Sequence, residues 1–306
     1  MGITGVLFKQ IAIMFLLMFV GAWLYKTKRV SPEGTKSLGN ILIYAIMPSV
    51  VINAFLTEYS PEKLRGFGIA FLFSLLGLLL AMGVSALLFK KHPIENFGTS
   101  FSNAGFLGVP IVSVIFGTEA VFYASSFVAL LNILQWTYGV FVITGDKRQI
   151  SFKKIATNPV VLSLAAGFII FLLPFEMPEI ISGTIGYMAG MNAPVAMFSL
   201  GTYLAQVSLS DLLRDKTAYL SAAVRLVVAP VLTALLLCLV PDGYEMLATA
   251  LIIVAATPVG SNVAIFAQIH NKNYKQAVKS VCLSTVLSIV TMPLVVSFAQ
   301  WLWQAL

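Results

Sequence analysis

The sequence predicts an all-α membrane protein with ten transmembrane helices, arranged as two inverted repeats of five. Three observations lead to this fold class. The chain of 306 residues is 59% hydrophobic and only 10% charged, with a mean hydropathy of +0.94. Apolar runs of about 20 residues, the length that crosses a bilayer, recur along the chain. Two of these runs contain proline-centred breaks at matching places in the two halves.

The apolar runs define the predicted spans, and the polar connections between them are short. The first run is not expected to be a cleaved signal peptide, because only Lys9 lies near its start while Lys26, Lys28 and Arg29 follow it. The predicted spans are residues 5–25, 37–57, 66–89, 97–117, 119–143, 156–174, 179–206, 217–240, 245–268 and 275–304.

Basic residues concentrate on one side of the membrane if the spans alternate from an outer N-terminus. The outer side then holds Lys9, Lys63 and Arg65, and the positive-inside rule places both termini on the extracytoplasmic side of the cell membrane. The net charge of +7 follows from this topology and indicates no nucleic-acid partner. The basic residues of the inner connections are Lys26, Lys28, Arg29, Lys36, Lys90, Lys91, Lys147, Arg148, Lys153, Lys154, Arg214, Lys216, Lys272, Lys275 and Lys279.

The polar segment Thr144–Lys154 lies close to the chain midpoint and divides the chain into the two predicted repeats, residues 1–150 and 151–306. An odd number of spans in each repeat inverts the second copy in the membrane. An offset of 148 residues aligns the prolines of the two breaks. The same offset matches Ala70 with Ala218 and Ala81 with Ala229. In addition, Glu119-Ala-Val and Gln276-Ala-Val start the fifth and tenth spans, and Pro48 and Pro194 fall in the second and seventh.

The two breaks, Asn103–Pro110 and Thr257–Asn262, mark the expected ligand site. Backbone released from helical hydrogen bonding is tolerated at membrane depth only where protein or a polar cavity satisfies it. Transporters built from inverted repeats place their substrate at such discontinuous helices. Gly105, Gly108 and Gly260 would let two backbones approach closely, and half-helix N-termini would favour an anion.

Neutral polar side chains near the breaks are candidate substrate ligands. Asn103, Ser261 and Asn262 offer donors and acceptors to a polar ligand, or they cap the half-helices instead. In the seventh span a bend at Pro194 would present Asn192 to the same cavity. Interhelical hydrogen bonding explains a further polar group in the fifth span at least as well as a ligand does. This group is Asn132, Gln135 and Trp136.

Arg225 is the ionisable residue predicted near the middle of a span, where a charge costs about 2.5–3.5 kcal/mol. All 12 acidic residues fall in predicted connections or at helix ends, which argues against a cation exchanger with a membrane-embedded carboxylate. The partner of Arg225 is therefore expected to be either carbonyl oxygens or an anionic ligand. Whether it braces the broken helices or contacts the substrate stays open at this level.

The remaining reactive side chains indicate neither catalysis nor metal binding. Cys238 and Cys282 lie in different spans, and His92 and His270 lie at inner helix ends. No buried acid–base pair or activated nucleophile is predicted, so we expect neither an enzyme nor a cofactor or metal site. No ATP-binding motif is present, so transport would be secondary-active, with coupling to protons or sodium left open.

Four stretches together resemble a known family. They are Ser102–Ile111, Phe116–Glu119, Ala196–Thr202 and Ala223–Leu226. In combination they resemble the signatures of the auxin efflux carrier family, which includes plant PIN-type carriers and bacterial malate and malonate permeases. The short Thr144–Lys154 segment replaces the long central loop of plant members, so a compact bacterial-type member fits better.

The resemblance implies crossing fourth and ninth helices, as in sodium/proton antiporters and bile-acid symporters. It implies a scaffold of spans 1, 2, 6 and 7 and a mobile transport unit of spans 3–5 and 8–10. Small organic anions such as malate, malonate or auxin-like acids would move by elevator-type alternating access, commonly in homodimers. The motif positions carried over are Asn103, Pro110, Arg225, Pro258 and Gly260.

Two alternatives accompany the carrier hypothesis. One is a sodium-coupled organic-anion symporter of the bile-acid type, whose crossing oxygens would hold sodium. The other is a non-transporting membrane sensor, which would neither accumulate nor release any anion.

Overall fold

The computed structural model describes residues 3–173, 176–208, 212 and 215–305. Regular secondary structure in these residues is helical, apart from a single isolated β-bridge. The predicted all-α class is confirmed. Arg214, assigned above to an inner connection, lies outside the described residues.

We number the helices in chain order. Their bounds are α1 Ile3–Lys26, α2 Pro32–Phe55, α3 Pro61–Leu88, α4 Pro93–Ser100, α5 Ala104–Thr144, α6 Phe152–Ala156, α7 Pro159–Leu172, α8 Glu179–Gly190, α9 Asn192–Ala205, α10 Lys216–Leu237, α11 Glu245–Ala255, α12 Asn262–Ile269 and α13 Tyr274–Ala305. Short π-helical turns interrupt three of them, at Leu42–Ile46 in α2, Ala104–Gly108 and Gln135–Gly139 in α5, and Val224–Val228 in α10.

Six of these helices are long and apolar enough to cross a membrane, so the chain is a multi-pass membrane protein. They are α1, α2, α3, α5, α10 and α13. The predicted span 245–268 is divided by the second break into α11 and α12. The predicted boundary near residue 118 falls at a kink inside α5, where Gly117 has a φ of 77°.

Several helix starts follow from one local pattern, a capping side chain followed by proline. Ser31 Oγ accepts from Gly34 N (3.1 Å), and Ser60 Oγ accepts from Lys63 N (3.1 Å). Proline follows each cap, where its missing N–H leaves no helical hydrogen bond unmade. The sequence thus fixes where α2 and α3 begin.

The described helices pack in two groups. In the first group, α1 lies against α9, while α2 packs on α7 and α8. Glycines allow the α1–α9 contact, because a Cβ on Gly201 would lie 2.0 Å from the Met18 carbonyl oxygen. In the second group, α3 and α11 pack on α5, and α10 packs on α13. The two broken stretches both belong to this second group.

Candidate functional site

The two broken stretches cross each other and satisfy each other's backbone. Asn103 N donates to Pro258 O (2.8 Å), and Gly260 N donates to Phe101 O (3.0 Å). These bonds replace the helical ones that end with α4 and α11, as the interior of a membrane protein requires. We call the two segments the crossing: residues 101–103 and 256–261.

The register of the crossing differs from the predicted alignment of the prolines. Ser102 forms an antiparallel bridge with Val259, so Pro258 lies in the crossing. Pro110 does not, because it lies inside α5, directly after the π-helical turn Ala104–Gly108. Its missing N–H is accommodated within the helix, at the irregular turn. The expectation that both prolines lie where the helices cross is therefore wrong for Pro110.

Small and hydroxylated side chains hold the crossing together. A Cβ on Gly260 would lie 2.9 Å from the Ser102 carbonyl oxygen, a distance that real Cβ atoms do not show. Ser102 Oγ donates to Val254 O in α11 (3.0 Å). Val259 N donates to Ser284 Oγ of α13 (3.1 Å). Neighbouring helices thus fix both strands of the crossing.

Arg225 braces the ends of the two half-helices that lead into the crossing. Its side chain is only 2% exposed; Nη1 donates to Thr99 O (3.1 Å) and Nη2 donates to Ala255 O. These carbonyls belong to the last turns of α4 and α11, where the helix dipoles concentrate negative charge. The contacts match the bracing interpretation of Arg225, and its side chain lies outside the two cavities described below.

Four buried polar groups at or beside the crossing have no hydrogen-bond partner among the described residues. They are Asn103 Nδ2, Ser261 Oγ, Gln135 Nε2 and Arg225 Nε. Neither Asn103 nor Ser261 caps the helix that follows it, so the capping interpretation does not describe their contacts. Asn262 Nδ2 donates to Gln135 Oε1 (2.8 Å). A buried polar group without a partner costs about 1–3 kcal/mol of stability.

A cavity of about 990 Å³ lies against the crossing. Its far wall comes from α2, including Tyr44 and Met47, and it extends to Lys36, Lys154 and Tyr274 at helix ends next to basic connections. This volume is ample for a small organic molecule. Five predicted site residues line it: Asn103, Gly105, Gly260, Ser261 and Asn262.

A second cavity, of about 360 Å³, lies between α2, α5, α8 and α9. Two further predicted site residues, Pro110 and Asn192, line this cavity, together with Ser113. The expectation that Asn192 faces the same cavity as Asn103 is therefore wrong. The turn at Met191 starts α9 at Asn192, whose Nδ2 donates to Gly105 O (3.2 Å) across the boundary between the cavities.

Sequence reasoning did not identify two residues that the structure places near the site. Lys154 was assigned to topology alone, yet its side chain lines the larger cavity. Glu95 was expected at a helix end, where it is found, but it is 5% exposed and accepts from Gln276 Nε2 (3.0 Å). Residue type reveals neither position, since both depend on how separate connections fold back onto the helices.

Comparison with known proteins gives the family. The sequence profile described as "Membrane transport protein" matches residues 6–296. The chain belongs to this family. It is the auxin efflux carrier family that the signature stretches resemble, so that prediction is confirmed.

Relatives in the membrane transport protein family are distant. A protein of Rhizobium meliloti named "Putative malonate transporter" is 23% identical over 298 residues, covering 90% of this chain and 91% of its own. An uncharacterized transporter of Methanothermobacter thermautotrophicus is 29% identical over 196 residues, 63% of each chain. One from Methanocaldococcus jannaschii is 26% identical over 219 residues, covering 65% of this chain and 69% of its own. The family and these relatives are transporters, which confirms that the chain is not an enzyme.

Proposed function

We propose that this membrane transport protein is a secondary-active carrier of small organic carboxylate anions, which bind at the crossing in the larger cavity. The observation that carries the proposal is a pair of buried, unpartnered groups on residues that line this cavity, Asn103 Nδ2 and Ser261 Oγ. Carboxylate oxygens are acceptors only and pair well with such donors. The relative named as a malonate transporter supports this substrate class.

The arrangement of the helices supports transport by an elevator movement of ten helices in two inverted repeats. The group with α3 to α5 and α10 to α13 would be the mobile transport unit, and the group with α1, α2 and α7 to α9 the scaffold. The crossing lies wholly inside the group with α3 to α5 and α10 to α13, so its site would travel intact. As members of the family commonly do, the scaffold would form a homodimer.

The larger cavity is proposed to open to the cytoplasm. It reaches Lys36 and Lys154, which belong to the connections that the positive-inside rule assigns to the inner side. The structure would then represent the inward-facing state, with both termini on the extracytoplasmic side of the cell membrane. The smaller cavity, beyond the Asn192–Gly105 contact, would be the closed outer half of the pathway.

Arg225 favours a carrier without a sodium ion at the crossing over the bile-acid type of symporter. A sodium site would need free oxygen ligands, and the guanidinium already takes Thr99 O and Ala255 O, the carbonyl ends of the two half-helices. In this proposal Arg225 supplies positive charge to the crossing without lining the cavity, while the neutral donors contact the substrate.

The test is uptake of radiolabelled malonate into proteoliposomes containing the purified protein. Asn103→Leu keeps the approximate side-chain size but removes the free donor, so uptake should fall at least tenfold. Asn132→Leu is the matched control, because Asn132 lines the same cavity while its Nδ2 already donates to Val128 O (2.9 Å). We expect the control to retain uptake within about twofold, since no free donor is lost and no charge is introduced.

Two further arms of this assay test coupling and function. Uptake that does not depend on sodium supports a crossing without a sodium ion. Uptake that follows an imposed pH gradient would indicate coupling to protons. If the folded wild-type protein moves neither malonate nor any other mono- or dicarboxylate, the carrier proposal is wrong and the sensor alternative gains support.

A further inference from the structure

Lys154 occupies an unusual place for a residue of the connection between the two halves. It lies on the short helix α6, yet its side chain lines the same cavity as Asn103 and Ser261. Its Nζ lies 5.4 Å from the centre of the Trp136 ring, which also lines the cavity. A cation over an indole face is held by the ring quadrupole without losing its charge. The connection therefore delivers a positioned cation to the cavity.

Lys154 supplies the net charge of the cavity wall. The other charged lining residues are Glu33 and Lys36, which lie one turn apart on α2 and have opposite signs. No carboxylate of the described residues lies within ion-pair distance of Lys154 Nζ. His270, nearby, adds no second positive charge, because burial, Lys154 and Lys272 lower the pKa of its imidazole and favour the neutral form.

A short chain of contacts links Lys154 to the crossing. Asn262 donates to Gln135, the residue before Trp136, and Lys154 lies over the ring of Trp136. Trp136 also packs on Phe266, with ring centres 4.7 Å apart, and Phe266 lies one helical turn after Asn262 on α12. About one turn of helix, roughly 6 Å of rise, therefore separates the level of the crossing from that of the indole.

The backbone of the adjoining helix α7 does not compete for the role of Lys154. The free N–H groups at the start of α7 belong to Val160 and Val161, and both donate to Asn158 Oδ1, at 2.9 and 3.2 Å. Recognition of a second anionic group on this wall therefore falls to the lysine ammonium rather than to a helix terminus.

We propose that Lys154 is a specificity-determining residue that binds the second carboxylate of a dicarboxylate substrate, while the donors at the crossing hold the first. This inference rests on the proposed function and deepens it. A monocarboxylate would bind at the crossing alone and leave Lys154 over Trp136. A dicarboxylate would bind the crossing with one carboxylate and Lys154 with the other.

The test compares two ligands of nearly equal size in equilibrium binding to the purified full-length protein: malonate and malonamate, in which one carboxylate is an amide. Wild type should bind malonate about tenfold more tightly, as expected for one charge-assisted contact. In Lys154→Ala this preference should disappear while malonamate affinity stays unchanged. Lys154→Arg should keep it. Lys153→Ala is the matched control, because Lys153 is exposed like Lys154 but does not line the cavity.

The outcomes separate this inference from the proposed function. If Lys154→Ala keeps the wild-type preference, or if wild type binds malonate and malonamate equally, the role of Lys154 is wrong while carboxylate binding at the crossing stands. If neither ligand binds and no other carboxylate does, both proposals fail. Loss of the preference in Lys154→Ala but not in Lys153→Ala supports the inference.

Discussion

The crossing and the contact between the two helix groups are held together in different ways. At the crossing, main-chain hydrogen bonds and the Arg225 guanidinium fix every partner in direction as well as distance. Between the groups, Phe55 of α2 packs edge-on against Phe122 of α5 (4.8 Å) and Phe67 of α3 (5.5 Å). Two side-chain hydrogen bonds, Asn192 to Gly105 and Tyr274 to Gln206, join the groups as well.

In the elevator movement proposed above, this difference separates the region that would stay fixed from the contact that would slide. A hydrogen bond weakens steeply when its partners turn or separate, whereas apolar contact is non-directional and survives a change of neighbours. We therefore expect changes at the crossing to reduce stability, and changes between the groups to alter the balance between inward- and outward-facing states.

The largest expected effect is that of Arg225→Ala, which leaves the carbonyl ends of α4 and α11 without their partner. Each unpaired buried carbonyl costs about 1–3 kcal/mol, so we expect a loss of about 3 kcal/mol in unfolding free energy, measured by denaturation in detergent. Arg29→Ala, at an exposed connection, is the control and should change little. An unchanged stability of Arg225→Ala would contradict the bracing role.

Gly260→Ala should come next, at about 2 kcal/mol, because the new Cβ must push Ser102 O away from 2.9 Å. The measurement is the thermal unfolding midpoint of the purified protein. Gly68→Ala is the matched control, since no atom lies within 4 Å of a Cβ at that position. Equal midpoints for the two variants would show that the crossing is looser than its distances indicate.

Asn192→Ala should shift the balance between the two states. It removes the donor to Gly105 O, and with it about 1 kcal/mol that stabilises the proposed inward-facing state. The outward-facing population should rise about fivefold. In a cysteine-free background, Ser113→Cys in the smaller cavity would then react faster with a membrane-impermeant maleimide. Asn53→Ala, lining the same cavity, is the control. Faster unfolding without faster labelling would break the comparison.

The smallest effect is expected for Tyr274→Phe, which removes a long 3.3 Å hydrogen bond to Gln206. A change of about 0.5 kcal/mol is expected, at the lower end for a hydrogen bond in contact with water. The maleimide labelling rate should rise about twofold while the unfolding midpoint stays the same.

Much of the fold could be predicted from the sequence. The helical class, the span boundary at Gly117 and the burial of Arg225 follow from hydropathy and charge, which act locally along the chain. The register of the crossing could not be predicted from the prolines, because proline marks a missing N–H and not the point where backbone becomes extended. Ser102 and Val259, which pair in the crossing, are 157 residues apart in the sequence. This is the separation of Glu119 and Gln276, and it differs from the 148 residues that separate the two prolines.

The sequence predicted only part of the candidate site, because some of its residues are positioned by turns far from the breaks. Asn103, Ser261 and Asn262 lie within the two breaks, so their place near the crossing could be predicted from the sequence. Asn192 and Lys154 could not be placed, because the turn at Met191 and the fold of α6 decide where they point. These turns depend on tertiary contacts that no local pattern encodes.

The pairing of Asn103 with Pro258, and of Gly260 with Phe101, is made by main-chain atoms. Amino-acid replacement leaves these atoms in place, so this pairing does not depend on the side chains of Phe101 and Asn103. Gly260 is the exception, since its lack of a side chain is what the pairing needs. The side chain of Asn103, one of the proposed substrate donors, could thus be replaced while its main-chain bond to Pro258 stays in place.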